Sequence, residues 1–593
     1  MADHDKLVAE LRRLSPAVQK RSGRAWCEER VSTRTVSLNH SSSYFSWWRV
    51  GWVFYIFVIL ALGTLPIIGT YPVFSHTTDE PAHIAAGMEL LDRGAFTYER
   101  QHPPLARLAV AVGPYLLGAR SHGASYMLDE GLAILYTSGD YLQTLGAARL
   151  GVLPFFIVLV AITWAWAHRE FGMVTGAAAA LILVTTPPLL AHAGLATTDV
   201  PVAAGCLSAL FAFVLWLECP NACRSATVGV TTALAITAKL SAVAFLPVCF
   251  AAALALRWRS ERGRSSPLSL VQNASWALPA GMAAFGLTLW VVYGCPADPW
   301  QPFHQLWTGV EEVAQHNARG HDSFFCGQVS HEGHWLFFPT VLLVKTPLPF
   351  LILSGFGTLI VLRRHRREWR YLIPLVSAMA ILAVAMASRI NLGVRYVLPL
   401  YPMLAMIAGM GAASLFATRS IRSWILLTLL IVGQLGASLT NFPDYLTYFN
   451  ALAGPEPERV LVDSDLDWGQ DVNRVATELR VRGIGRVHAA LQGNADLSRH
   501  GFPAHGDLDW YQPATGWIVI SLTQWAFGTN PPPFDGYAWL KAFDPVATIG
   551  KTVRLYYVDP AQSAATVSPT DPVKSRQSIQ WPQALTVGHI CDG

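Results

Sequence analysis

Acidic residues able to move a proton stand at the ends of long apolar runs. His76-Thr-Thr-Asp79-Glu80-Pro81-Ala-His83 follows the first such run, with Glu89 and then Gln101-His102-Pro103-Pro104-Leu105 beyond it. Asp79 and Glu80 can take a proton or bind hydroxyl groups. They equally suit the N-terminus of an amphipathic helix over 81–93, with Pro81 in its first turn and Ile84, Met88 and Leu91 on one face. Thr197-Thr198-Asp199-Val200-Pro201 puts another carboxylate at a helix start, again with capping as the alternative.

The matching cations are Lys239 at a turn, Lys345 within Val344-Lys345-Thr346-Pro347-Leu348-Pro349, and Arg389 and Arg395 around Arg389-Ile-Asn-Leu-Gly393-Val-Arg395-Tyr396. Charge within or beside a membrane span is costly and marks function more often than surface charge does. Snorkelling of the long side chains to the interface is the plainer alternative. Carboxylates beside buried cations suggest a site for a phosphate and a polyol.

The elements that must position these groups are membrane helices. Of 593 residues, 52% are hydrophobic and 14% charged, against about 25% charged in a soluble domain. Apolar runs long enough to span a bilayer predict eleven spans, near 50–70, 147–167, 172–192, 200–218, 225–238, 240–256, 273–293, 336–361, 371–387, 394–415 and 422–441. The segment 104–118, with Arg107, Gly113 and Pro114, reads as a helix along the membrane surface. Arg257, Arg259, Arg262 and Arg264 in one short loop, and Arg363, Arg364, Arg366, Arg367 and Arg370 in another, place those loops in the cytoplasm. Three regions follow: a basic, largely disordered cytoplasmic tail over 1–49, a transmembrane domain over 50–441 with outer loops at 71–146 and 295–335, and an outer α/β domain over 442–593 ending in a disordered tail. The last region shows β-like runs at Arg459–Val462, Gly516–Leu522 and Val553–Val558 and a helical stretch near Val472–Val481. A net charge of +4, with Arg spread between apolar runs, implies no nucleic-acid partner.

Cys295 and Cys326 share an outer loop, where they can pair or stay free. His316, His321, Asp322, His331, Glu332 and His334 in the same loop match no zinc spacing. Asp463-Ser-Asp465-Leu-Asp467-Trp468-Gly469-Gln470-Asp471 lacks the Gly and Glu of a calcium loop, and reads most simply as a strand leading into an Asp-rich helix start.

Asp79-Glu80, Pro103-Pro104-Leu105, Asp199-Val-Pro201 and Gly393-Val-Arg395-Tyr396-Val-Leu-Pro399-Leu-Tyr-Pro402, in this order, resemble the GT-C class of polyprenyl-phosphate-sugar-dependent glycosyltransferases. The nearest groups are the protein O-mannosyltransferases and the lipid A aminoarabinose transferases. His102 stands where the latter carry Lys. The resemblance implies an all-α polytopic fold in a bacterial inner membrane. It implies a polyprenyl-phosphate-linked sugar as donor, and a protein, lipid or glycan as acceptor. In that scheme Asp79 is the base and Glu80 binds hydroxyls or orients it. Asp199, Lys345, Arg395, Lys239, His102 and Tyr396 bind substrate and donor phosphate. No cofactor is required, and a divalent cation is compatible with the scheme without being predicted by it. A lipid-linked-sugar flippase or other transporter is the competing expectation.

Overall fold

The computed structural model describes residues 44–260 and 275–561. Most of the expected basic tail, and the tail after residue 561, lie outside the described residues. The chain divides into two units, Met1–Ile59 and Leu60–Gly593, and every candidate site residue belongs to the second.

Among the described residues six helices are long and apolar enough to cross a membrane: Tyr141–Phe171, Asp199–Glu218, Ser241–Ser260, Trp369–Met386, Val394–Ala417 and Ile421–Leu439. Two further pairs pass the same test together but are bent, Met173–Val184 with Pro187–Ala193 by 64° and Phe337–Lys345 with Leu348–Arg364 by 113°. The chain is therefore a multi-pass membrane protein, with six such helices among the described residues, or eight if each bent pair is one span, against the eleven expected. Phe54–Thr70, Pro104–Leu116 and Leu278–Val292 are shorter apolar helices. The expected span at 225–238 lies in the helix Ala222–Ala238, which is not among the candidate spans; Ser225, Thr227, Thr231, Thr232 and Thr237 make it polar.

The bends come from proline. Pro187 and Pro347 have no N–H to give, and each forces the residue before it out of the helical region. Thr186 accordingly has φ −95° and ψ 108°, and Thr346 has φ −91° and ψ 134°. Lys345 thus ends a helix at a sharp turn, where one continuous span was expected.

The helix Glu80–Arg93 starts with Pro81 in its first turn and stops at Gly94, whose φ of 65° lets its N–H reach Leu90 O. It is buried from Glu80 through Leu90, with Leu91 half-buried, so it is covered on all sides and not on one face alone. Gly87 permits this: a Cβ there would sit 1.9 Å from Arg107 O in the helix Pro104–Leu116.

Beyond residue 472 the helix Val472–Val481 packs on a five-stranded sheet in the order 504–507, 486–490, 516–521, 553–558, 547–549. The first three strands run parallel and the last two pairings are antiparallel. Val475 and Leu479 of the helix meet Val487, Val519 and Leu555 on one side of the sheet. Arg459–Val462, expected as a strand, is not one: Pro457–Arg459 forms a short 3-10 turn instead, and Pro457 suits the start of such a turn. Cys295 and Cys326 are both free, each in a left-handed turn with φ of 55° and 49°.

Candidate active site

Asp79 occupies the N-cap position of its helix but makes no capping bond. Its Oδ2 accepts instead from Arg395 Nη1 at 2.7 Å. Asp199 opens the helix Asp199–Glu218, and its Oδ1 accepts from Lys239 Nζ at 2.6 Å. Tyr396 joins the two ion pairs. Lys239 Nζ lies 4.5 Å from its ring centroid, and Arg395 Cζ lies 5.5 Å from the same centroid. A cation over an aromatic face is attracted by the ring quadrupole, so the five residues form one continuous chain of contacts.

Within that chain the exposure is uneven. The Asp79 side chain is 32% accessible and that of Arg395 9%. Asp199 is buried, so Asp79 is the carboxylate open to an incoming molecule. Burial by itself would raise the Asp79 carboxyl, but Arg395, then His83 and His102, pull it below the ordinary range. It is ionised at neutral pH and can accept a hydrogen bond.

Glu80 points elsewhere and is fully buried. Arg149 Nε and Nη2 each lie 2.8 Å from one of its oxygens. Ala196 N donates to Oε1 and Thr77 N to Oε2, both at 2.8 Å. A carboxylate with both oxygens filled is a fixed anchor with no capacity left for a hydroxyl. Glu80 ties the start of the helix to Arg149 and to the segment before Asp199.

His102 Nδ1 lies 3.1 Å from Glu99 Oε1, and Glu99 also accepts from the buried Arg107. The His102 ring meets His83 edge-on at 5.3 Å between centroids. Lys345 is buried, and its Nζ donates to Leu446 O at 2.8 Å and to Asp465 O at 2.5 Å. Two of its three N–H donors thus hold chain segments.

The Asp-rich segment proves to be the frame of the site. Trp468 O accepts from Thr78 N at 3.1 Å and Gln470 O from Ser75 N at 3.0 Å. Asp465 Oδ1 accepts from Val394 N at 2.9 Å, and the Trp468 ring lies 4.3 Å under the Arg395 guanidinium. One stretch therefore holds both the segment leading to Asp79 and the turn carrying Arg395. Gly393 makes the close approach possible, with φ 101° and Asp465 Cγ 2.9 Å from where a Cβ would stand.

Several polar atoms near this frame are buried without hydrogen-bond partners: His192 Nδ1 and Nε2, Thr197 Oγ1, Asp199 Oδ2 and Asp465 Oδ2. The His192 ring lies 6.3 Å from that of Trp468. Unsatisfied buried groups are rare, and such a concentration belongs with a functional site. Among the described residues no group of three or more His, Cys, Asp or Glu is placed to hold a metal ion. In the histidine-rich loop His316 faces His321, and His331 faces Asp322. A separate cleft of about 820 Å³, lined by Tyr136, Tyr141, Arg474, Arg499 and His500 among others, lies beside the helix Val472–Val481.

No protein-family profile matches the chain, and no curated protein matches it. Solved structures do. ArnT from Cupriavidus metallidurans bound to undecaprenyl phosphate is 17% identical over 88% of this chain and 99% of that one, with a TM-score of 0.45. The archaeal oligosaccharyltransferase AglB from Archaeoglobus fulgidus, in complex with an inhibitory peptide and a dolichol-phosphate, is 12% identical over 84% of this chain and 60% of that one, with a TM-score of 0.40. The arabinofuranosyltransferase AftD from Mycobacteria is 12% identical over 85% and 40%, with a TM-score of 0.37.

The expected residues Asp79, Asp199, Lys239, Arg395 and Tyr396 are brought together, with His102 and Lys345 at the margins and Glu80 turned away. Sequence reasoning missed Arg149, His192 and Trp468. Arg149 left a signal, since it stands at the head of an apolar run where a lone cation calls for a partner. Trp468 left none beyond membership of the Asp-rich segment.

Proposed function

We propose that this chain is a membrane glycosyltransferase. It moves a sugar from a polyprenyl-phosphate donor to an acceptor hydroxyl at the outer face of the membrane, by one inverting displacement. The observation that carries the reading is the half-open Asp79 carboxylate held by Arg395, beside Lys239 and Tyr396, at the ends of apolar helices.

Arg395 occupies one Asp79 oxygen and leaves the other to accept the acceptor's O–H. The hydroxyl oxygen attacks the anomeric carbon from the face opposite the phosphate, and a single displacement inverts that centre. The departing phosphate requires positive charge more than a proton. Arg395 and Lys239 supply it, and Lys345 retains one N–H for the same purpose. Asp199 keeps Lys239 in place. A lipid tail that stays in the bilayer avoids a desolvation cost of about 0.8 kcal/mol per CH₂, which suits a phosphate site at the ends of spans.

The test supplies purified protein with radiolabelled undecaprenyl-phosphate sugars and, in parallel, with nucleotide sugars. Transfer from the lipid-linked donors alone is expected. Turnover with nucleotide sugars in the absence of a lipid carrier overturns the reading.

A further inference from the structure

The site contains a second carboxylate with a free side chain. We propose that Asp463 works with Asp79, receiving the proton that Asp79 removes from the acceptor hydroxyl. This assignment rests on the glycosyltransferase reading above.

Asp463 begins the segment that frames the site, in the 3-10 turn Asp463–Asp465. That turn is fixed against the Arg395 turn from two directions: Ser464 Oγ donates to Leu392 O, and Val394 N donates to Asp465 Oδ1. The other carboxylates of the segment are engaged. Asp465 takes the Val394 N–H, Asp467 takes those of Thr523 and Gly469, and Asp471 takes Thr552 Oγ1 and Arg474. Among the described residues the Asp463 carboxylate accepts no hydrogen bond; its backbone N–H donates to Thr523 Oγ1 at 3.0 Å, and its carbonyl accepts from Leu466 N and Asp467 N. It is half-buried where Asp465 and Asp467 are buried.

Asp463 also has a backbone φ of 57°. A residue other than Gly held there costs free energy, and such strain clusters at functional sites. The backbone requirement alone is met as well by Asn or Gly.

The charges that act on Asp463 are those of Arg395, Asp79, Asp465 and Asp467. Burial lifts its carboxyl, Arg395 draws it down, and the three aspartates raise it, leaving it at about 7. Asp79, paired with Arg395, lies below the ordinary range and is a poor resting place for a proton at neutral pH. Two carboxylates set apart in this way divide the labour, one staying ionised and the other exchanging the proton. In the balanced step the hydroxyl oxygen pair forms the bond to the anomeric carbon. The bond from that carbon to the phosphate oxygen breaks, its pair leaving on the phosphate. The proton passes through Asp79 to Asp463 and then to water.

Asp463→Asn and Asp463→Gly test this in the full-length chain reconstituted in lipid nanodiscs. The probes are radiolabelled undecaprenyl-phosphate mannose, glucose and arabinose, with bacterial envelope extract as acceptor. Both variants should fold and bind the lipid-linked sugar as the wild type does, yet lose roughly 100-fold or more in kcat. Wild-type kcat should fall as pH drops through about 7, and the residual activity of Asp463→Asn should lack that limb. A variant that turns over at the wild-type rate, or one that loses donor binding together with turnover, overturns the assignment and leaves the glycosyltransferase reading standing. A wild-type chain inert with all three donors overturns that reading, and this assignment with it.

Discussion

Arg395 Nη1 and Asp79 Oδ2 are 2.7 Å apart, across 316 positions of sequence. The pair converts a residue that could have been a helix cap into an oriented, ionised carboxylate, with one oxygen held and the other free.

Asp79→Asn keeps the size of the side chain and a contact to Arg395 but removes the basicity. Transfer should fall by roughly 100- to 10,000-fold with the protein still folded and inserted. Near wild-type turnover by the purified variant would return Asp79 to the status of a helix terminus.

Arg395→Gln removes the charge that pulls Asp79 below the ordinary carboxylate range and draws Asp463 down. With the largest opposing charge gone, both carboxyls move up. The acid limb of kcat should shift to higher pH, and activity at neutral pH should drop. A pH profile of unchanged position would show that Arg395 does not set the ionisation of the site. The stability that Asp79 contributes through its depressed carboxyl is present above the ordinary range and is lost as pH falls through its folded value.

Glu80→Gln breaks a buried ion pair and leaves Arg149 without its counter-charge, at a cost of about 3–5 kcal/mol. A lower Tm and a smaller folded yield are expected, while the fraction that folds retains kcat because both Glu80 oxygens were already occupied. Loss of turnover at unchanged Tm would show instead that Glu80 acts on substrate.

Lys345→Met strips the donors from Leu446 O and Asp465 O. A buried acceptor left unsatisfied costs about 1–3 kcal/mol, so Tm should fall. KM for the lipid-linked donor should rise with it as the charge near the phosphate is lost. A fall in Tm with KM unchanged would confine Lys345 to holding the loop.

The side of the membrane is open to fusion reporters. A reporter active only outside the cytoplasm should work after residue 450 and fail at Arg262 or Arg364. Activity at either arginine loop would reverse the orientation on which the outer-face reading depends.

By itself the sequence determined that the chain lives in a bilayer, because apolar runs of spanning length are a local property that folding does not alter. It also marked which ionisable residues were too costly to be incidental, and Asp79, Asp199, Lys239 and Arg395 do meet. Tertiary structure decided what each one meets. Asp79 and Glu80 are neighbours with the same chemistry, and a helix start turns one toward Arg395 and the other toward Arg149; only the packing of distant segments supplies those partners. Lys345 looked like a charge deep in a span until a proline-driven bend put it at a helix end facing two carbonyls. Asp463 and Trp468 sat in a segment with no readable role. Their segment frames the site because its backbone hydrogen bonds to Ser75 and Thr78, nearly four hundred positions earlier, form only once the chain has folded, and such pairings depend on three-dimensional register that no local pattern encodes.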